Sequence, residues 1–211
     1  MGMFLRRGLP QRLSGLNEGR IIKLNESGEP VEFYVACHNY EAALNGVGRT
    51  LIVRKDCYDM RVFSNSNNAY ANSALDSWLC NTYINLLDAG IQAAIGATKF
   101  YYTPGNGNKT LTTLQRKIFQ LSVTELLGNG NLYNKEGSKL PIAEVLKIGT
   151  IDGAATKQLT RTPTISSSTT AIYVIGANGR SATQNCGGTG GSRPAFTLPS
   201  NLIITGDMLA A

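Results

Sequence analysis

The sequence predicts an α+β domain. One stretch, 72–90, carries a 3.6-residue apolar period; several short β-rich runs are bounded by Gly, Asn and Pro; and strands and helices never alternate as βαβ units. At 211 residues and 42% hydrophobic, the chain can bury one sizeable core, so a single domain with short appendages is expected.

Residues 1–19 hold Gly8, Pro10 and Gly15 among scattered leucines, which stops a helix early. This segment is expected to be an arm. Its Met3, Phe4, Leu5, Leu9, Leu13 and Leu16 offer apolar anchors, and Arg6, Arg7 and Arg12 can pair with acids on a neighbouring protein. "GRIIKLNESGEPVEFYVACHN" then reads as a hairpin with strands at 21–24 and 31–37 and a turn within 25–30, and "RTLIVRKD" adds a strand.

"NSALDSWLCNTYINLLDAG" reads as the clearest helix. Asn72 or Ser73 can cap it, Leu75, Trp78, Leu79, Thr82 and Leu86 share one face, and Gly90 can close it. Trp78 on that face reads as packing. "TPGNGNKT" brings Lys109-Thr110 after two glycines, but Thr103 and Asn108 stand where a phosphate loop needs glycine, so an exposed hairpin tip is expected. "KIFQLSVTELLG" reads as a strand at 118–121 running into a helix, with Ser122 and Glu125 as a capping box and Gly128 as its end. In "AIYVIGANGRSATQNC" the dipeptide Asn178-Gly179 predicts a hairpin with a tight type I′ turn.

The formal charge of +6 and pI near 9.2 raise the question of nucleic acid. The cations are dispersed except at Arg6, Arg7, Arg12, Arg20 and Lys23, with neither a basic stripe nor a recognition motif, so no nucleic-acid partner is expected. No apolar run nears the roughly 20 residues that span a bilayer, and neither membrane insertion nor a signal peptide is expected. Cys37, Cys57, Cys80 and Cys186 lack the close pairing of zinc or redox motifs and read as reduced thiols.

Catalytic signals are few. His38 is the sole histidine; its neighbour Cys37 would point to the opposite face of a strand, so the two form no Cys-His pair and His38 reads as structural. Asp56 and Asp59 sit among Arg54, Lys55 and Arg61 and read as solvated ion pairs rather than a glycosidase pair. Residues 164–198 hold no acid, which argues against calcium there. No metal or cofactor is expected, and the chain reads as a non-enzyme.

The segments "NSALDSWLCNTYINLLDAG", "KIFQLSVTELLG", "EGSKLPIA", "QLTRTP" and "GSRPAFTLP", in this order, resemble a family of tail-associated proteins in phages and prophages of Gram-positive gut bacteria. The resemblance covers about residues 19–205. That family is similar in layout to the C-type-lectin-like fold shared with formylglycine-generating enzymes. The resemblance implies a small twisted antiparallel sheet, two main helices and long loops carrying the binding surface. It divides the chain into an arm (1–19), the domain (20–206) and a tail (207–211).

It also implies a virion protein made in the bacterial cytoplasm, a homo-oligomer held to other virion proteins by the arm. The expected ligand is a bacterial surface glycan or protein. The alternative is a purely structural subunit such as a capsid decoration or baseplate component. Two departures stand out: Leu159 occupies a position where relatives often have Trp, and Cys80 falls where they often continue Trp-Leu-Asn. No cysteine sits in a formylglycine-type motif.

Gly187, Gly188, Gly190 and Gly191 flank only Thr189, without the lysine and following helix that phosphate binding uses. Asn178, Arg180, Gln184, Asn185 and Thr189 are therefore the expected ligand-binding residues, displayed on a hairpin and a pliable loop, with an ordinary solvated loop as the other reading. Arg161 and Arg193 each lie just before a proline in a motif shared with that family. They read as structural pins whose planar guanidinium groups hold loop carbonyls.

Overall fold

The computed structural model describes residues 9–166 and 168–209. The α+β class is as expected: two five-stranded sheets and three two-stranded ribbons carry the architecture, with short helices between them. The first sheet is antiparallel throughout, in the order Ile21–Glu26, Glu29–His38, Arg49–Arg54, Pro194–Pro199, Ile118–Gln120. The second runs Ser181–Asn185, Ala171–Ile175, Gln158–Pro163, Thr189–Gly191, Met60–Val62, and pairs Gln158–Pro163 with Thr189–Gly191 in parallel. The chain leaves the second sheet at Gly191 and enters the first at Pro194, so Ser192 and Arg193 form the joint.

The first hairpin turns on Ser27 and Gly28, both at positive φ (56° and 85°), as a two-residue type I′ turn requires. Alternation along Ile21–Glu26 buries Ile22, Leu24 and Glu26 on one face. The core is aromatic where the sheet packs: Phe33 meets Phe196 edge-on at 5.7 Å, and Phe100 lies 4.6 Å from Phe119.

Two main helices were expected; the described residues hold five short ones instead, Ala42–Asn45, Ala74–Asn81, Ala89–Ala94, Val123–Leu127 and Ala143–Leu146. The 72–90 pattern starts as predicted, with Ser73 Oγ accepting from the Asp76 amide at 3.1 Å. It stops after Asn81. The chain tightens into a 3₁₀ turn at Tyr83–Leu86, and Gly90 lies inside the next helix rather than ending the first. Docking onto the hairpin explains the break: Leu86 O and Asn25 O accept from the Ser27 and Asp88 amides, and Leu87 bridges Glu26, so tertiary bonds displace helical ones. Trp78 is half-buried, stacked under the Arg61 guanidinium at 3.6 Å.

The segment 118–127 forms as its motif predicts. Ser122 and Glu125 complete a reciprocal capping box, and Gly128 closes the helix at φ 94°. Residues 103–110 connect Thr98–Tyr102 to Thr112–Arg116, but only 106–110 are exposed as expected: Thr103 and Gly105 are buried, the Thr103 amide donating to Glu136 Oε1 and Gly105 lying against the Asn68 backbone.

The expected arm ends earlier than residue 19. Residues 1–8 lie outside the described residues, while Gln11–Arg12 pairs with Ile203–Ile204 and the Leu13 amide donates to Leu202 O at 2.8 Å. Leu13 is 0% and Leu16 6% exposed in the main core, whereas Leu9 is 85% exposed. Leu13 and Leu16, two of the expected attachment anchors, are thus satisfied inside the domain, while Leu9 is not. The tail from 207 behaves alike: Met208 O accepts from the Lys23 amide, and Leu209 bridges Ile22; 210–211 lie outside the described residues.

Candidate functional site

The C-terminal hairpin pairs Ala171–Ile175 with Ser181–Asn185 in unbroken register. Its turn differs from the predicted one. The Gly176 amide donates to Arg180 O, the Gly179 amide to Gly176 O, and of the two central residues only Gly179 has positive φ, 73°. This is a three-residue loop with Gly179 as the left-handed bulge, a geometry that needs one glycine and leaves Asn178 in ordinary backbone. Asn178 Oδ1 instead accepts from the Arg180 amide at 3.1 Å.

The five residues expected to bind a ligand do not converge. Asn178 and Arg180 are exposed at the tip. Gln184, Asn185 and Thr189 sit at the opposite end of the edge strand, on the order of 13 Å away at 3.3 Å per residue. There Gln184 Nε2 donates to Gly188 O at 3.1 Å, Asn185 Oδ1 accepts from the Gly187 amide at 2.9 Å, and Thr189 pairs with Val62. Between the two ends, Ser181, Ala182 and Thr183 are exposed along an open edge.

Arg161 and Arg193 each donate to backbone carbonyls. Arg161 is 0% exposed and grips both oxygens of Glu125 (2.7 and 3.0 Å) and the carbonyls of Tyr101, Gln120 and Glu136, with its guanidinium 4.5 Å from the Phe100 ring centroid. Arg193, 2% exposed, donates to the carbonyls of Arg54, Lys55, Leu146 and Ile148, so one side chain ties two segments, 54–55 and 146–148, to the joint. Burial lowers its proton affinity, and no carboxylate bonds to it.

His38 is occupied on both ring nitrogens, by Leu16 O at 2.8 Å and Thr50 Oγ1 at 2.9 Å. The four cysteines are free thiols, and burial pushes Cys37 up to about 12 and Cys57 and Cys80 to about 11, away from thiolate chemistry. Among the described residues no three His, Cys, Asp or Glu cluster to hold a metal, and no helix is long and apolar enough to cross a membrane.

The sequence reading passed over the acids around Arg161. Tyr40 Oη donates to Glu125 Oε1, and Glu136, 0% exposed, accepts from the Thr103 amide and Thr162 Oγ1 at 2.6 Å each. Burial raises the Glu136 carboxyl above its ordinary value despite Arg161; the half-buried Glu41 is raised by burial and by Glu125. Glu41 reaches a cleft of about 350 Å³ whose other lining residues are Tyr101, Leu111, Lys135, Gly137 and Ser138. Glu125 falls in the capping box and Glu136, Gly137 and Ser138 in "EGSKLPIA", but no motif joins them to Glu41, Tyr101 or Leu111, which lie elsewhere in the sequence. A larger cleft of about 670 Å³ lies between Lys23–Asn25, Asp88–Ile91 and 202–208; there Asn25 Nδ2 donates to Asp88 Oδ2 at 2.9 Å.

No curated protein and no solved structure matches the chain. One family does: the profile described as "Domain of unknown function (DUF6273)" matches residues 47–200, from just before the Arg49–Arg54 strand to just after Pro194–Pro199. The matched span takes in the whole second sheet, both pinning arginines and the Glu125–Glu136 acids, and since it covers well over half of the sequence, the chain belongs to the DUF6273 family.

Proposed function

We propose that this chain is a non-enzymatic recognition domain of a phage or prophage-derived particle, with a C-type-lectin-like layout, and that it binds a bacterial surface glycan or protein through the hairpin at 171–185 and the loop after it. The observation that carries this reading is the hairpin itself. Its outer strand presents Ser181, Ala182 and Thr183 to solvent as small uncharged side chains, with Asn178 and Arg180 at the tip. Its inner strand is fixed: Ile172, Val174 and Ile175 are buried, Thr160 Oγ1 holds Tyr173 O at 2.6 Å, and the adjoining strand carries Arg161. A rigid base beneath adaptable polar groups loses little entropy on binding.

The particle assignment rests on the motif resemblance. The split of the five residues makes the site two contact points joined by an edge, so two double variants test it separately. Purified protein is expected to bind target-strain cells, with Asn178→Ala/Arg180→Ala and Gln184→Ala/Asn185→Ala each weakening binding at unchanged stability. Undiminished cell binding by both variants would remove the hairpin as the recognition site.

The open edge favours one other reading, a structural virion subunit that assembles through Ser181–Asn185. This strand carries neither proline nor a charged residue, the usual guards against edge pairing. Thr183→Lys separates the two: loss of assembly with cell binding retained supports the structural subunit.

A further inference from the structure

A second feature is the cleft beside the Arg161 web, none of whose lining residues belongs to the hairpin at 171–185. Its acid is Glu41. The chain reaches it through Asn39 and Glu41, both non-glycine residues at positive φ (53° and 46°), on either side of Tyr40, whose hydroxyl is bonded to buried Glu125. Glu41 starts the helix Ala42–Asn45 yet its carboxylate caps no amide of that helix. It is turned instead over Gly137. A Cβ at 137 would lie 2.7 Å from Glu41 Oε1 and 3.3 Å from Glu125 Oε1, and Gly137 itself has φ 103°. Both space and backbone therefore require glycine there.

The base is Lys135, exposed at the rim. It flanks Glu136, whose carboxylate, amide and carbonyl are all bonded inside the domain, so the backbone on either side of that anchor is held in place. Glu41 and Lys135 line one cleft, and no ion pair within 4 Å joins them; burial and Glu125 disfavour the charged form of Glu41, while Arg161, the Ser138 backbone and, least, Lys135 favour it. The same cleft is lined by Tyr101, whose carbonyl is clamped by Arg161, and by Leu111. An acid set inward, a base at the rim, and Tyr101 and Leu111 as the two large side chains of an otherwise polar lining, in about 350 Å³, suit a small molecule bearing both charges and a short hydrocarbon side chain.

We propose that this cleft binds a free zwitterionic amino acid with an apolar side chain, its ammonium on Glu41, its carboxylate on Lys135 and its side chain against Tyr101 and Leu111. The ammonium adds a positive charge, beyond that of Arg161, beside an acid crowded by Glu125. The Lys135 charge fixes the polarity of the ligand, since a simple amine gains only the inner contact.

Calorimetric titration of the full chain with L-leucine tests this, alongside isoamylamine, which lacks the carboxylate, and 4-methylpentanoate, which lacks the ammonium. Saturable leucine binding is expected, with each analogue weaker by at least about tenfold, the value of one charge-assisted contact. Lys135→Met should weaken leucine by about tenfold and leave isoamylamine unchanged. Glu41→Gln should weaken leucine and isoamylamine together. Lys135→Met alters only an exposed side chain, so it reports even if Glu41→Gln fails to fold. Asn178→Ala/Arg180→Ala should leave leucine binding intact, which separates this cleft from the hairpin. Absence of saturable leucine binding, an amine that binds as tightly as leucine, or a Lys135→Met loss shared equally by all three ligands would each overturn the proposal.

Discussion

Replacing Arg161 by lysine keeps the buried charge and removes the planar fork. Arg161 serves five acceptor atoms, both oxygens of Glu125 and the carbonyls of Tyr101, Gln120 and Glu136. A lysine ammonium has three N–H donors, so about two buried acceptors go unpaired, at about 1–3 kcal/mol each. Loss of the guanidinium over Phe100 costs about another 1 kcal/mol. The expected destabilisation is therefore about 4 kcal/mol, or a fall in Tm of about 10 °C at this chain length. Arg161→Met should be worse than Arg161→Lys, because it also leaves Glu125 as a buried charge without its cation. Urea unfolding followed by Trp78 fluorescence and by far-UV circular dichroism measures both. A lysine variant within 1 kcal/mol of the parent, or a methionine variant more stable than the lysine one, would refute the reasoning that the fork itself holds these loops.

Leu13→Ala should cost about 2–4 kcal/mol in urea unfolding, as for a fully buried core leucine; a cost near zero would return that leucine to an attachment role. Deleting residues 1–18, which removes Leu13, Leu16 and the strand paired to Ile203–Ile204, should abolish cooperative unfolding, whereas deleting residues 1–8 should leave the transition of residues 9–209 in place. The Glu136 carboxyl is raised above its ordinary 4.5 by burial, so the unfolded chain ionises first as pH rises; stability falls with rising pH through the window above 4.5 up to the folded value. Glu136→Gln removes that contribution, so its stability relative to the parent should improve as pH rises across the window, and a trend of opposite sign would show the acid to be ionised without penalty. His38→Ala should lose about 1–3 kcal/mol from the Leu16 carbonyl it leaves without this partner, the Thr50 hydroxyl keeping its bond to Ser200, with cell binding unchanged; a lost turnover in the folded variant would reopen catalysis at that residue.

Local rules were legible wherever one short segment supplied all the partners. The capping box at Ser122 and Glu125, the first hairpin, whose strands run longer than the expected 21–24 and 31–37, and the strand in "RTLIVRKD" follow from backbone sterics and nearest-neighbour hydrogen bonding, and the structure has them. The arginine motifs were legible in kind: a guanidinium before a proline bend suits loop carbonyls, and both arginines hold them. Charge spacing and cysteine spacing bounded the chemistry without locating any.

What required the third dimension was each choice between a local preference and a distant partner. The apolar period of 72–90 is real, but bonds from Leu86, Leu87 and Asp88 to the first hairpin outcompete helical ones and break it after Asn81. Asn178-Gly179 has the composition of a type I′ turn, yet strand register set by buried Ile172, Val174 and Ile175 leaves three residues for the loop and gives the left-handed position to Gly179 alone. The leucines of the N-terminal segment looked free because their partner strand, Ile203–Ile204, lies at the far end of the sequence. The Glu41 cleft draws on loops near 41, 101, 111 and 135–138, and its defining contact, a carboxylate resting where Gly137 lacks a side chain, joins residues 96 positions apart. Sequence fixes which groups can bond; burial, which charges most for leaving distant polar groups unpaired, decides which of them do.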